Sequence, residues 1–142
     1  MSNILDVKFS AKSENESLSR VIVASFAAKL DPTLDELSDI KMAVSEAVTN
    51  SIVHGYEEDE SKFVYLRCEL DDRTIKVVVE DRGKGIDDIE QAMQPMYTSK
   101  PELERAGMGF SFMESFMDSL EVVSIKGEGT KVVMTKTIEL PK

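Results

Sequence analysis

Glu80-Asp81-Arg82-Gly83-Lys84-Gly85-Ile86 closes an apolar run, Ile75 to Val79, with an acid and two glycines. A carboxylate at a strand end can accept a hydrogen bond from a ligand amine, and the glycines permit backbone angles or close approaches that a side chain forbids. The same D-x-G-x-G string also describes an ordinary Asp/Gly turn, so it decides nothing alone. Two further stretches change its weight. Before it, Glu46-Ala47-Val48-Thr49-Asn50 sets two polar groups on one helix face; after it, Gly107-Met108-Gly109-Phe110 gives a helix a flexible start. Together the three point to a nucleotide pocket.

Around Asp81 the pattern reads as sheet. Phe63 to Leu70, a turn at Asp71-Asp72, and Thr74 to Glu80 form an antiparallel hairpin, with Asp81 at the end of its second strand. Val77, Val78 and Val79 break the alternation, as a strand buried on both faces does. Glu121 to Ile125 and Gly129 to Thr137 give another hairpin around Lys126-Gly127-Glu128-Gly129. Thr130 follows, where it either faces the pocket or serves as a plain β-branched strand residue. Leu5 to Phe9 alternates as a short half-buried strand.

Helical spacing fills the gaps. Ser13 with Glu16 resembles a capping box, and Leu18, Val21, Ile22, Phe26 and Leu30 follow as a core stripe, with Arg20 beside it as a solvated residue. Asp31-Pro32 stops that helix. Thr33 and Glu36 make a second capping box, with Leu37, Ile40, Val44, Val48 and Ile52 as its core stripe. Glu46 and Asn50, four apart, stand one turn from each other and away from Val44 and Val48, while Ala43 and Ala47 leave room beside them. His54 reads as a helix-end histidine bonded locally, and Gly55 ends the helix. Tyr56 to Lys62 reads as an acidic loop.

Asp87-Asp88-Ile89-Glu90 reads as a short helix start. Met93 to Arg105 has no strong period and reads as a mobile loop. In the pocket reading it is a lid, and Thr98, Ser99, Lys100 and Arg105 can donate to phosphates. Arg105 is preferred, two residues before Gly107-Met108-Gly109, whose successive free N–H groups at a helix start favour anions. The Phe and Met residues that follow are core. The sum is a single domain over 1–142, an α/β two-layer sandwich of a mixed, largely antiparallel sheet with helices on one face.

Composition bounds the partners. With 27 Asp+Glu against 17 Lys+Arg the formal charge is -10, which argues against a general nucleic-acid or anionic-membrane surface. ATP is not excluded, because backbone N–H groups, a metal and one or two cations can hold its phosphates. The single cysteine, Cys68, rules out an internal disulfide and points to a reducing cytoplasm. No window reaches the apolar length that crosses a bilayer.

Ser45 to Asn50 with His54-Gly55, Asp81 to Gly85, and Thr98-Ser99-Lys100-Pro101 through Gly107 to Phe110 occur in an order that resembles the Bergerat (GHKL) ATP-binding fold of sensor histidine kinases and DNA gyrase. Over about Leu5 to Thr137 the chain is similar, more closely, to the small anti-sigma factor kinases, the sporulation anti-sigma-F group above all. The resemblance implies ATP or ADP and Mg2+ as cofactors. It implies that Asn50 ligates Mg2+, that Asp81 accepts from the adenine amino group, and that Gly83 and Gly85 let the backbone wrap the base. Gly107, Met108 and Gly109 would lie at the phosphates with Thr98, Ser99 and Arg105, and Gly129-Thr130 near the adenine. Glu46 would be the general base for a protein hydroxyl, or would activate water in a hydrolytic relative.

The implied partners are the sporulation RNA polymerase sigma factor F, a small anti-anti-sigma protein phosphorylated on serine, and a second copy of the chain, with no direct nucleic acid and no membrane. Neither a second domain nor a helical hairpin bearing a phosphorylatable histidine is seen, which favours a kinase acting on a separate protein. Three alternatives stand beside this: a nucleotide-gated sequestering protein with slow or lost phosphotransfer, a related kinase acting on a different sigma factor, and a structural α/β domain with coincidental glycines.

Overall fold

A computed structural model describes residues 2–86 and 109–140. Five strands, β1 (Asn3–Ser10), β2 (Phe63–Asp71), β3 (Thr74–Asp81), β4 (Ser119–Ile125) and β5 (Gly129–Thr137), form one sheet in the order β1-β2-β3-β5-β4. The α/β sandwich expected from the sequence is the one formed, and the described ladders are all antiparallel. β3 lies between β2 and β5, and its last residue, Asp81, pairs with Thr130. The chain returning through β5 therefore closes against the acid that ends β3.

Alternation sets the two faces. β2 buries Val64, Leu66, Cys68 and Leu70 while Tyr65, Arg67 and Glu69 point to the other side. Val77, Val78 and Val79 are all buried, as their unbroken run suggests. Val78 lies on the face that no described helix covers, with Arg67 and Val133 as its cross-strand neighbours. Burial pushes the Cys68 thiol up to about 12, so it packs as a small inert hydrophobe.

The helices α1 (Ser13–Ala27), α2 (Leu34–Asn50) and α3 (Gly109–Phe116) cover the other face, with α2 touching both α1 and α3. α2 starts as its sequence predicts: Glu36 N–H donates to Thr33 Oγ1 at 3.1 Å, and Thr33 N–H donates to Glu36 Oε1 at 2.9 Å. The bond from Thr33 is the main reason the Glu36 carboxyl is held below its ordinary range.

α1 corrects the sequence reading twice. Lys12 is the N-cap residue, with no side-chain cap, so the expected Ser13/Glu16 box does not form. Glu16 instead turns toward α2 and accepts from Ser45 Oγ. The core stripe is partly shifted: Phe26 and Leu30 are buried as expected, but Leu18 and Val21 are 50% and 60% exposed, and Ser19, Val23 and Ala27 are buried beside them. Ser19 can enter the core because its hydroxyl donates to the Glu16 carbonyl at 2.6 Å. The helix ends as expected, with Asp31 in the left-handed region at φ 54 just before Pro32.

Arg73, in the β2–β3 turn, ties the far end of the sandwich together. Its Nη2 donates to the carbonyls of Leu30 at 2.8 Å and Glu139 at 3.0 Å, and its Nε donates to that of Ile138 at 3.1 Å. Arg73→Ala is expected to destabilise the fold by roughly 2 kcal/mol, since hydrogen bonds from a charged donor contribute about 1.5–3 kcal/mol and this one is partly exposed. Thermal denaturation checks this; a midpoint within a degree of wild type would show that water replaces all three bonds.

Candidate nucleotide-binding site

α2 gives way after Asn50 to a π-helical turn, Ser51–Gly55, closed by the Tyr56 N–H donating to the Ser51 carbonyl at 2.9 Å. Such turns add a residue to the helical repeat and recur at functional sites. This one reaches the Asp81 turn at several points. The Ser51 hydroxyl donates to the Asp81 carboxylate. The Gly55 carbonyl accepts from Lys84 N–H at 3.0 Å. Tyr56 Oη accepts from Arg82 N–H at 2.7 Å and donates to the Phe63 carbonyl at 2.5 Å.

Asp81 is 4% exposed, and Gly83 N–H donates to its Oδ1 at 3.0 Å. Burial pushes its carboxyl above the usual range, with the Gly83 N–H, the Ser51 hydroxyl and the Thr130 N–H pulling the other way. A carboxylate has about four acceptor positions, so capacity for a ligand N–H remains.

Two glycines make the closure possible. A Cβ on Gly83 would stand 2.0 Å from the Gly55 carbonyl oxygen. Gly129, at φ +125, would set its Cβ 2.1 Å from the Asp81 carbonyl oxygen. Gly85 passes beside the Ile125 carbonyl, and the next residue, Ile86, donates its N–H to Ser124 Oγ at 2.8 Å. Ser124 Oγ also bonds Thr130 Oγ1 at 2.8 Å, so the buried Thr130 is a strand residue whose hydroxyl is engaged beside the pocket.

Glu46 is 8% exposed on α2, and Asn50 follows one turn later. Asn50 Oδ1 is buried without a hydrogen-bond partner. A buried amide oxygen left in this way is unfavourable, and a hard cation is what such an oxygen suits. The site therefore fits Mg2+. Among the described residues no three His, Cys, Asp or Glu side chains cluster to hold a metal.

Gly109 is the buried first residue of α3. Thr98, Ser99, Lys100, Arg105, Gly107, Met108 and the rest of the expected lid lie outside the described residues. The structure thus joins Asn50, through its neighbour Ser51, to Asp81, Gly83, Gly85 and Thr130. A groove of about 470 Å³ lined by Lys8, Tyr65, Arg67, Lys76 and Val78 opens on the helix-free face of the sheet, apart from this site.

Two residues of the site, Ser51 and Tyr56, were not singled out for it in the sequence, and Gly55, quoted there with His54, was read only as the end of the helix. Tyr56, expected in an acidic loop, is only 7% exposed. The one signal was a lone aromatic directly after His54-Gly55. Tyr56→Phe strips the Arg82 N–H and the Phe63 carbonyl of a partner and is expected to weaken ATP and ADP binding equally, by about fivefold to tenfold for roughly 1 kcal/mol. Calorimetric titration checks it, and unchanged affinity would show that the Asp81 turn keeps its shape without the phenol.

A buried acceptor at the end of the central strand, glycines that let the chain fold onto it, and an unpartnered amide oxygen on the adjoining helix define an ATP-using domain of the kinase and ATPase type. Residues 9–136 match the Histidine kinase-like ATPase domain. The chain belongs to that family and, within it, to the anti-sigma F factors: it is 59% identical over 136 residues to the anti-sigma F factor of Clostridium perfringens strain 13, covering 96% of this chain and 97% of that one. Against the anti-sigma F factor of Oceanobacillus iheyensis the identity is 54% over 142 residues, covering 100% and 97%.

Two solved structures share the fold. The RsbU and RsbW domains of a Mycobacterium tuberculosis protein superpose with a TM-score of 0.69 at 19% identity, over 96% of this chain and 32% of that one. A blue-light activated histidine kinase domain from Erythrobacter litoralis gives a TM-score of 0.56 at 20% identity, over 87% and 61%. Among the described residues, no helix is long and apolar enough to cross a membrane.

Proposed function

We propose that this chain is an anti-sigma factor and an ATP-dependent protein-serine kinase. It binds and inhibits the sporulation sigma factor F in a complex favoured by ATP, and it phosphorylates a serine of its anti-anti-sigma protein. It acts as a homodimer in the cytoplasm. The observation that carries the chemistry is the pairing on α2 of buried Glu46 with the partnerless Oδ1 of Asn50, next to the residue that touches Asp81.

Each residue then has a task. Asp81 accepts from the amino group of adenine, and Gly83 and Gly85 let the backbone lie close to the base. Asn50 Oδ1 would hold Mg2+, which would offset the charge of the ATP phosphates, ATP being the phosphoryl donor. Thr98, Ser99, Arg105, Gly107, Met108 and Gly109 are proposed for the phosphates. Glu46 orients the acceptor serine and takes its proton as the Oγ–P bond forms and the bond to ADP breaks.

The test is phosphotransfer from radiolabelled ATP with Mg2+ to a purified anti-anti-sigma protein from the same genome. Label on a serine of that protein is the expected result. Absence of label, with ATP binding demonstrated, would overturn the kinase reading, and a sigma-factor pull-down with ATP would then measure sequestration alone.

A further inference from the structure

Glu16 leaves the start of α1 uncapped and directs its carboxylate at the helix that carries Glu46. Its Oε1 accepts from Ser45 Oγ and lies 3.4 Å from Arg20 Nε, an atom buried without a hydrogen bond of its own. Ser45 is 5% exposed and immediately precedes Glu46. The other buried residues of these two helices are mostly Ala, Val, Ile and Phe, with Ser19 already satisfied inside α1.

Apolar packing of that kind is non-directional and specifies the rotation of one helix against the other less sharply than a directional contact does. A hydrogen bond is such a contact, because its strength depends on angle as well as distance. Two other polar ties of α2 outside the pocket, Asp39 with Lys136 and Glu36 with the Glu139 N–H, lie nearer its start. Ser45 and Glu46 are one step apart on α2, about 100° around its axis. A rotation that broke the Ser45–Glu16 bond would swing Glu46 through the same angle.

We propose that Glu16 and Ser45 are positioning residues: their bond fixes the rotation of α2 and so aims Glu46 at the acceptor hydroxyl. This rests on Glu46 being the base. The adenine end of the pocket has separate supports in Ser51, Gly55 and Tyr56, so loss of the α1–α2 bond should reach the transfer step and spare nucleotide affinity measured without Mg2+, since Asn50 moves with the same helix.

Ser45→Ala is expected to lower single-turnover transfer to the anti-anti-sigma protein at saturating Mg2+ and ATP on the order of tenfold, since small misplacements of a reacting group are expensive in rate. ATP affinity measured without Mg2+ should stay within about twofold. Ser45→Thr, which keeps the hydroxyl, and Glu16→Gln, which keeps an accepting oxygen, should recover most of the rate, while Glu16→Ala should match Ser45→Ala. In a Glu46→Gln background Ser45→Ala should add nothing.

A Ser45→Ala variant that transfers at the wild-type rate while Glu46→Gln is inactive would overturn the positioning role and leave the base in place. So would a loss of that Mg2+-free affinity in proportion to the loss of rate. Normal transfer by Glu46→Gln would overturn the base assignment, and the positioning role with it. Should Ser45→Ala fail to fold, Glu16→Ala against Glu16→Gln makes the same comparison.

Discussion

Glu46→Gln is expected to lower single-turnover phosphotransfer by about two to four orders of magnitude, the usual contribution of a positioned general base, while ATP affinity stays within about twofold. Glutamine keeps the length and shape of the side chain, so the buried site on α2 should persist. What it removes is the carboxylate that takes the proton from the acceptor serine. Sigma-factor binding in the presence of ATP should survive, because that reading asks only for a folded, nucleotide-loaded domain. Rapid-quench transfer and nucleotide titration on the same preparations separate the two effects. Equal rates for wild type and variant would remove Glu46 as base. A parallel loss of affinity would make it a binding residue instead.

Much of this arrangement was legible because it depends on local signals. The capping box of Thr33 and Glu36, the Pro32 stop, and the strand patterns of Phe63 to Leu70 and Gly129 to Thr137 each place an element without reference to the rest of the chain. Asp81 was legible as an acid closing a strand, and Glu46 with Asn50 as a polar pair on one turn of a helix. The misses came from partners distant in sequence. Glu16 looks like a cap for Ser13, yet its partner is Ser45, 29 residues away, on another helix. Ser19 looks like surface until its bond to the Glu16 carbonyl admits it to the core, on a face that leaves Leu18 and Val21 outward. Tyr56 reads as loop because its phenol serves Phe63 and Arg82, at the ends of two adjacent strands. Local pattern finds the elements, and contacts between elements decide what their ambiguous polar residues do.

Asp81→Asn should separate binding from stability. The carboxylate accepts from Gly83 N–H and, in the proposed complex, from the adenine amino group. An asparagine can keep only one of these bonds: with its oxygen on Gly83, its NH2 meets the ligand amine as donor against donor. The expected loss of ATP affinity is about 2–3 kcal/mol, or roughly 30-fold to more than 100-fold, as for an unmade bond to a charged group. Stability should move much less. Burial raises the Asp81 carboxyl in the folded protein, so folded chains hold a proton that unfolded chains release. Wild-type stability therefore falls as pH rises from the ordinary carboxylate value to the raised one, and the deficit persists above it. Asp81→Asn has no such group, which offsets the loss of a bond from Ser51 or Thr130 that its NH2 cannot accept. It should therefore lose far less stability than affinity at neutral pH, with a flatter acid-side profile. ATP binding to wild type should strengthen over that same interval, since the ligand selects the ionised form, whereas the variant should show no step there. Affinity within threefold of wild type, or identical pH profiles, would remove Asp81 from adenine recognition. A stable variant that no longer binds would mean that the ionised acid is kept in the fold for the ligand, at a cost the unliganded protein bears.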